Sequence, residues 1–308
     1  IASLNIINSQ IKTDAFTAFL DTLYAHGNNL KRSFNPSFVS SMIFSMTWNH
    51  NNYGNKDKSS IFFRWQVESG GTLQNFFNYK FIDRNGLQSY RYLRLNLDFR
   101  KNIVLNKNTT IAYRLNGGVA YSYDTIKALP YEKYFFAGGS NGIRAWRPRR
   151  LGEGSLKPVR SNYPEKDGLY SYSFEKPGDM LLEGSLELRK HIFGFIEGAV
   201  FVDAGNVWYL FPQKNITNPE TTGDPQFKFQ NFFKQMAVGT GFGLRFDFSF
   251  LIIRLDVGMK VLDPARDEGD RFVLDRIRFF KPYATKGVNG YYNFKEPVIY
   301  NFGIGYPF

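Results

Sequence analysis

Gly138-Gly139-Ser140-Asn141-Gly142 spells G-x-S-x-G, the spacing of a serine nucleophile elbow. Such an elbow needs an apolar strand before it, a helix after it, and a histidine and an acid downstream. The residues that follow are Ile143-Arg144-Ala145-Trp146, and the only downstream histidine, His191, falls where the pattern reads as a short turn. Acyl-transfer chemistry is therefore not expected. His26, His50 and His191 are too scattered for a metal site, and there is no cysteine to supply thiolates or disulfides. The acidic run from Asp263 to Asp270 lacks the spacing of a calcium loop and reads as solvated. Gly239-Thr240-Gly241-Phe242-Gly243 imitates a phosphate-binding loop but lies inside a strand pattern, where glycines line a crowded wall. No metal, no cofactor and no catalytic residue is expected, so the chain is not read as an enzyme.

What remains is a single guanidinium. Arg144 follows the glycine-rich turn and precedes Trp146, near the middle of a long connection spanning about 124–178. A guanidinium held away from water needs carboxylate partners, because an unpaired buried charge costs several kcal/mol. Period two places Glu187 on one face with Glu183 and Ser185, opposite Leu182, Leu186 and Leu188. On the residues alone, separately solvated charges are the favoured reading of the pattern.

The elements that would position these groups are strands. Nine segments alternate apolar and polar, each long enough for the roughly 10 residues of a tilted membrane-crossing strand. They start near Phe38, Ile61, Leu93, Ile111, Leu181, Gly194, Met236, Leu251 and Val298. In the clearest, Val238, Thr240, Phe242, Leu244 and Phe246 share one face, while Gly239, Gly241, Gly243, Arg245 and Asp247 share the other. A soluble sandwich also alternates, but here the apolar faces are bulky and the opposite faces mix both charge signs with glycine. Links near 50–58, 101–108, 190–193 and 248–250 are short; those near 69–87, 124–178, 209–233 and 263–295 are long. Short periplasmic turns alternating with long outer loops mark outer-membrane barrels. Thr13 to His26, with Phe16, Phe19, Leu20 and Leu23 at helical spacing, predicts a short amphipathic helix.

Composition agrees. Aromatic residues make up 18% of the chain, with 32 Phe and 19 Tyr, as aromatic girdles require. Mean hydropathy is −0.35, and no apolar run reaches the roughly 18 residues of a transmembrane helix. The net charge of +12 is spread along the chain with no dense basic stripe, so nucleic acid is not the expected partner. Anionic lipopolysaccharide or a basic lumen accounts for it as well. The chain opens at Ile1 without a signal-peptide pattern. An antiparallel barrel closes on an even number of strands, so nine segments lead us to expect further strands upstream, Ile1 to Ile7 being the tail of one.

The stretch FFAGGSNGIRAW, residues 135–146, with RPRRLGEGS behind it, resembles the lumenal loop of the outer-membrane protein insertase superfamily, the BamA/TamA surface-antigen barrels. It is most similar to TamA-like members. The matching positions are Gly138, Gly139, Ile143, Arg144, Ala145 and Trp146, with alanine at 145 where the family usually has glycine. The resemblance implies a sixteen-strand barrel and a loop that enters the lumen. It further implies inward acids in S-L-E and F-x-D-A-G-N-V-W motifs, which are Glu187 and Asp203 here. Arg144 with Asp203 and Glu187 would then lock the loop inside the barrel. Asn301, Gly303, Tyr306 and Phe308 fit the pattern by which a last barrel strand is recognised for assembly, with Pro307 tolerated at the end of an edge strand.

The expected architecture is all-β: about nine strands forming the C-terminal portion of a transmembrane antiparallel barrel. Residues 1–32 would hold the end of an upstream strand and an outer loop with a helix, and 33–308 the barrel strands. The resemblance implies periplasmic POTRA domains upstream and a periplasmic or inner-membrane partner subunit. It implies insertion or export of client outer-membrane or surface proteins in a Gram-negative outer membrane. Lateral opening and strand pairing would do the work. A two-partner-secretion-type transporter, a passive porin and a soluble β-sandwich lectin are the rival readings.

Overall fold

The computed structural model describes residues 2–7, 13–26, 28, 31, 37–50, 59–71, 88–124, 127–161, 163, 169–171, 174–213, 216, 222–280, 284–286, 292–294 and 296–308. One antiparallel sheet dominates. Its path runs β1 (Ala2–Ile7), β2 (Ser37–His50), β3 (Ser60–Gly70), β5 (Tyr92–Asn106), β6 (Thr109–Ser122), β7 (Met180–Phe193), β8 (Ile196–Trp208), β9 (Ala237–Asp247), β10 (Ile252–Leu262) and β15 (Ile299–Ile304). The two-residue β4 (Gln88–Ser89) adds to β2, and β11 (Ile277–Arg278) pairs with β14 (Glu296–Pro297). The short β12 (Ala284–Lys286) and β13 (Tyr292–Phe294) form a separate ladder.

Each strand hydrogen-bonds to the one before it on the path, as hairpin-connected strands of a barrel do. Ile1 to Ile7 falls largely in β1, which pairs with β2 along its whole length. The path therefore holds ten strands: the nine expected and β1, the strand tail expected at Ile1 to Ile7. The path remains open: among the described residues no ladder joins β1 to β15. The sheet is thus part of a barrel, with β1 and β15 as its edges.

Two expected links prove shorter. β5 continues through Lys101 and Asn102, paired with Tyr113 and Ala112, and Ile103 returns to the face of Leu97 and Phe99. The turn closes where the Asn106 side-chain oxygen accepts from the Asn108 amide at 3.0 Å, an Asx turn. His191 likewise lies within β7, and the chain reverses at Gly194, whose φ of 56° suits glycine. The link expected at 50–58 lies outside the described residues, as does most of 69–87.

The two faces differ in what could cover them. Trp48, Leu115, Val200 and Phe302 point away from the lumen and are 66%, 59%, 54% and 64% exposed. A band this apolar is stable against lipid and costly against water. No helix among the described residues is long and apolar enough to cross a membrane. The core lies inside: Phe135, Ile143, Trp146 and Leu151 of the 123–179 connection pack on Tyr92, Leu181, Val207 and Tyr209 of the inner wall and its rim. Burying each such side chain stabilises the docked loop by about 1.5–3 kcal/mol.

Helix α1 (Asp14–Ala25) is capped by Thr13, whose hydroxyl accepts from the Phe16 amide. Leu20 and Leu23 pack on Tyr131 and Phe174 of the long loop. Phe16 and Phe19 remain more than a third exposed and stack on each other. The acidic run also departs from expectation: Asp263 is buried, holding Lys260 at 2.9 Å, while Asp267 pairs with Lys157.

Candidate functional site: a docked arginine loop in the lumen

The tip is shaped by its glycines. Gly138 and Gly139 both have φ near 96°, and the Gly139 amide donates to the Trp146 carbonyl at 2.9 Å, closing the turn that presents Ile143, Arg144 and Ala145. Ser140 lies in this turn with no helix behind it, so no nucleophile elbow forms. The wall opposite is cut back to receive the tip. A Cβ on Gly258 would stand 2.3 Å from the Arg144 carbonyl oxygen, and one on Gly239 would stand 2.6 Å from the Ala145 methyl.

Arg144 is fully buried. Its Nε and Nη2 donate to the two Asp203 oxygens at 2.9 and 2.8 Å, and its own amide donates to Asp203 at 3.1 Å. Nη1 donates to Glu187 at 2.5 Å, and Asp256 stands 3.7 Å away. The guanidinium carbon lies over the Phe201 ring, 3.4 Å from its centroid. A planar fork matched to a carboxylate on one edge and an aromatic face below is geometry that lysine does not reproduce.

The carboxylates are themselves shared. Glu187 accepts from Arg189 at 2.8 Å and from Arg245 at 3.1 Å, and Asp256 accepts from Arg245 at 2.5 Å and pairs with Arg254 at 3.2 Å. Four arginines and three carboxylates interlock, which is how buried charges become tolerable. The tip backbone is also gripped. Arg254 donates to the Ser140 carbonyl at 3.0 Å, Arg114 to the Asn141 carbonyl at 2.8 Å, and the Asn301 side-chain amide to the Arg144 carbonyl at 2.9 Å. Trp146 packs with Lys260 over its ring at 5.1 Å.

The structure thus brings Arg144, Asp203, Glu187 and Asn301 together, with Gly138, Gly139, Ile143, Ala145 and Trp146 forming the tip. Gly303 makes room for Arg254, whose Nη2 would lie 2.6 Å from an added Cβ. Tyr306 and Phe308 are not on the last strand. β15 ends at Ile304, Gly305 turns at φ 80°, and Pro307 is buried beyond it. The Tyr306 hydroxyl then donates to Glu197, and Arg189 sits 4.2 Å from the Tyr306 ring. Sequence reasoning gave no role to Phe201, Arg114, Arg189, Arg245, Arg254 or Asp256. Period two does place Phe201 on the same face as Asp203, but the others are reached only through strand register.

Farther out, the loop buries two acids. Glu153 receives the Tyr209 hydroxyl at 3.2 Å and has Lys176 at 3.8 Å. Asp179 accepts from the Leu210 amide at 3.0 Å. Burial pushes each carboxyl up to about 7, and the negative charge of Glu153 adds to the rise at Asp179.

A lipid-facing strand band around a lumen plugged by its own loop defines an outer-membrane β-barrel. The profile of the Omp85 superfamily domain matches residues 2–281, and the chain belongs to that superfamily. Among solved structures, BamA from Haemophilus ducreyi lacking POTRA domains 1–3 is similar at 15% identity and a TM-score of 0.45, over 82% of this chain and 45% of that one. CdiB from Acinetobacter baumannii is similar at 12% identity and a TM-score of 0.42, over 87% of this chain and 33% of that one. The chain spans less than half the length of either. Among curated proteins none matches it in sequence.

Proposed function

We propose that this chain is the barrel portion of an outer-membrane assembly or translocation factor, with TamA-like work on client β-barrel and surface proteins. Arg144 serves as a latch: paired with Asp203 and Glu187, it keeps the 124–178 loop inside the lumen. The observation that carries this reading is the forked contact of a fully buried Arg144 with Asp203 at 2.8 and 2.9 Å, in a chain of this superfamily. A passive pore has no need to lock a loop across its own lumen.

In this reading residues 33–308 supply C-terminal barrel strands, and residues 1–32 an upstream strand and an outer loop. The work is non-covalent: a client strand pairs with an open sheet edge and buries its apolar face in lipid, with no nucleotide or cofactor. Lipid and lipopolysaccharide of a Gram-negative outer membrane surround the band, and a periplasmic or inner-membrane subunit delivers clients. The test is replacement of the native protein by the Arg144→Ala variant, followed by quantification of outer-membrane barrels and of exported soluble proteins. Loss of barrels supports insertion, and loss of exported protein alone moves the reading to secretion. Wild-type levels of both would overturn it.

A further inference from the structure

A second charged cluster, on β3, β5 and β6, faces the lumen and meets the loop tip through Arg114. It is built on Asp98 of β5. Arg100 donates to it at 2.6 Å, Arg114 of β6 at 3.0 Å, and Arg64 of β3 stands 3.7 Å away. Register explains the crowding: Arg64 lies directly across from Asp98, and Arg100 directly across from Arg114. Like charges in directly opposed positions repel, and one buried carboxylate offsets only one of the three guanidiniums.

The excess is placed where an occupant can reach it. The Asp98 side chain is buried, whereas the side chains of Arg64 and Arg100 are 40% and 32% exposed toward the lumen. Arg100 lies over the Phe62 ring at 4.9 Å, which fixes its plane and leaves its remaining donors to the lumen. Glu183 on the next strand accepts from the Asn116 side-chain amide at 3.1 Å and acts on Arg114, which leaves Arg64 and Arg100 as the cations open to an occupant. Two forked cations beside an aromatic ring suit planar oxyanions, which they bind through paired hydrogen bonds.

We propose that Arg64 and Arg100, backed by Arg114, form an oxyanion-binding site in the lumen, whose occupant is a carboxylate-rich polypeptide segment. Both guanidiniums converge on the same Asp98 oxygen, at 3.7 and 2.6 Å, so neighbouring carboxylates of an acidic run can engage their outward donors together. The site holds whether or not Arg144 acts as a latch, because Arg114 is the only side chain the two clusters share.

The test titrates the intact protein in detergent with hexaglutamate and, separately, with inorganic phosphate. Wild type is expected to bind hexaglutamate at least tenfold more tightly than phosphate, with affinity falling as salt rises. The Arg64→Gln/Arg100→Gln double variant is expected to lose at least tenfold in hexaglutamate affinity, with unchanged heat-modifiable migration. If the double variant does not fold, Arg64→Gln alone is expected to lose at least threefold. Equal binding by wild type and variant, or no hexaglutamate binding by wild type, overturns the site. Phosphate binding as tight as hexaglutamate overturns the polypeptide assignment.

Discussion

The inner wall of this sheet carries two arginine clusters built by the same period-two alternation, and they have opposite fates. On β7–β10, three arginines and the loop's own Arg144 meet three carboxylates, the loop tip covers them, and Arg144, Arg245, Glu187 and Asp203 have essentially no exposed surface. On β3–β6, three arginines meet one carboxylate, and two of them remain open to the lumen. Near-neutrality permits burial; excess charge forbids it. The first cluster is therefore a structural lock, and the second keeps its cations available.

The comparison can be broken most forcefully at the lock. Asp203→Asn leaves Arg144 buried with half its fork unmatched, a loss of about 3–5 kcal/mol. The expected readout is a lower heat-modifiable transition and tryptic cleavage in the Arg147–Arg150 stretch of folded protein. Unchanged protection of that stretch would contradict the lock. Gly258→Val attacks the same docking without touching a charge, since its side chain would meet the Arg144 carbonyl, and overpacking of this kind costs about 1–3 kcal/mol. Loop cleavage comparable to wild type would show that the tip does not depend on the cut-back wall.

Acidity probes the outer part of the loop. Glu153 and Asp179 have folded values near 7, well above their ordinary 4.5 and 3.8. Their stabilising effect is complete below about pH 4, declines as pH rises toward 7, and is gone above it, by at most about 1.4 kcal/mol per pH unit for each group. Hydrogen exchange at the Leu210 and Gly154 amides should accelerate from pH 5 to pH 8 beyond the intrinsic pH effect, and Glu153→Gln should reduce that excess. A flat corrected profile in wild type would refute the assignment. The smallest effect belongs to the open cluster: Arg64→Gln should change folding stability by no more than about 0.5 kcal/mol. A loss of several kcal/mol there would erase the distinction between the two walls.

Much of this was legible in the chain itself. Alternation gave the strands and their inward faces, because a pleated strand with lipid on one side and a crowded lumen on the other leaves each position little choice. Partners were harder. Glu187 could be placed inward from its own strand, but linking Arg245 to Glu187 or Arg100 to Arg114 requires the register between strands, which no single segment encodes. Tyr306 and Phe308 were misread as strand residues because the pattern carries past Gly305, where a positive φ ends the pairing. Asp263 was misread as solvated because Lys260, three positions earlier, belongs by pattern to the neighbouring strand.

The hydrogen bond from Asn301 to the Arg144 carbonyl joins residues 157 apart in sequence. Contacts of such separation form late, after nearer strands have paired, because the intervening chain must first be ordered. β15 sits at the edge of the path, and among the described residues its ladder partner is β10. The loop tip can be fully seated only on a wall that already includes this strand. The seated tip thus reports on the far edge of the sheet: a molecule in which Asn301 holds the Arg144 carbonyl is one whose sheet has been completed as far as β15.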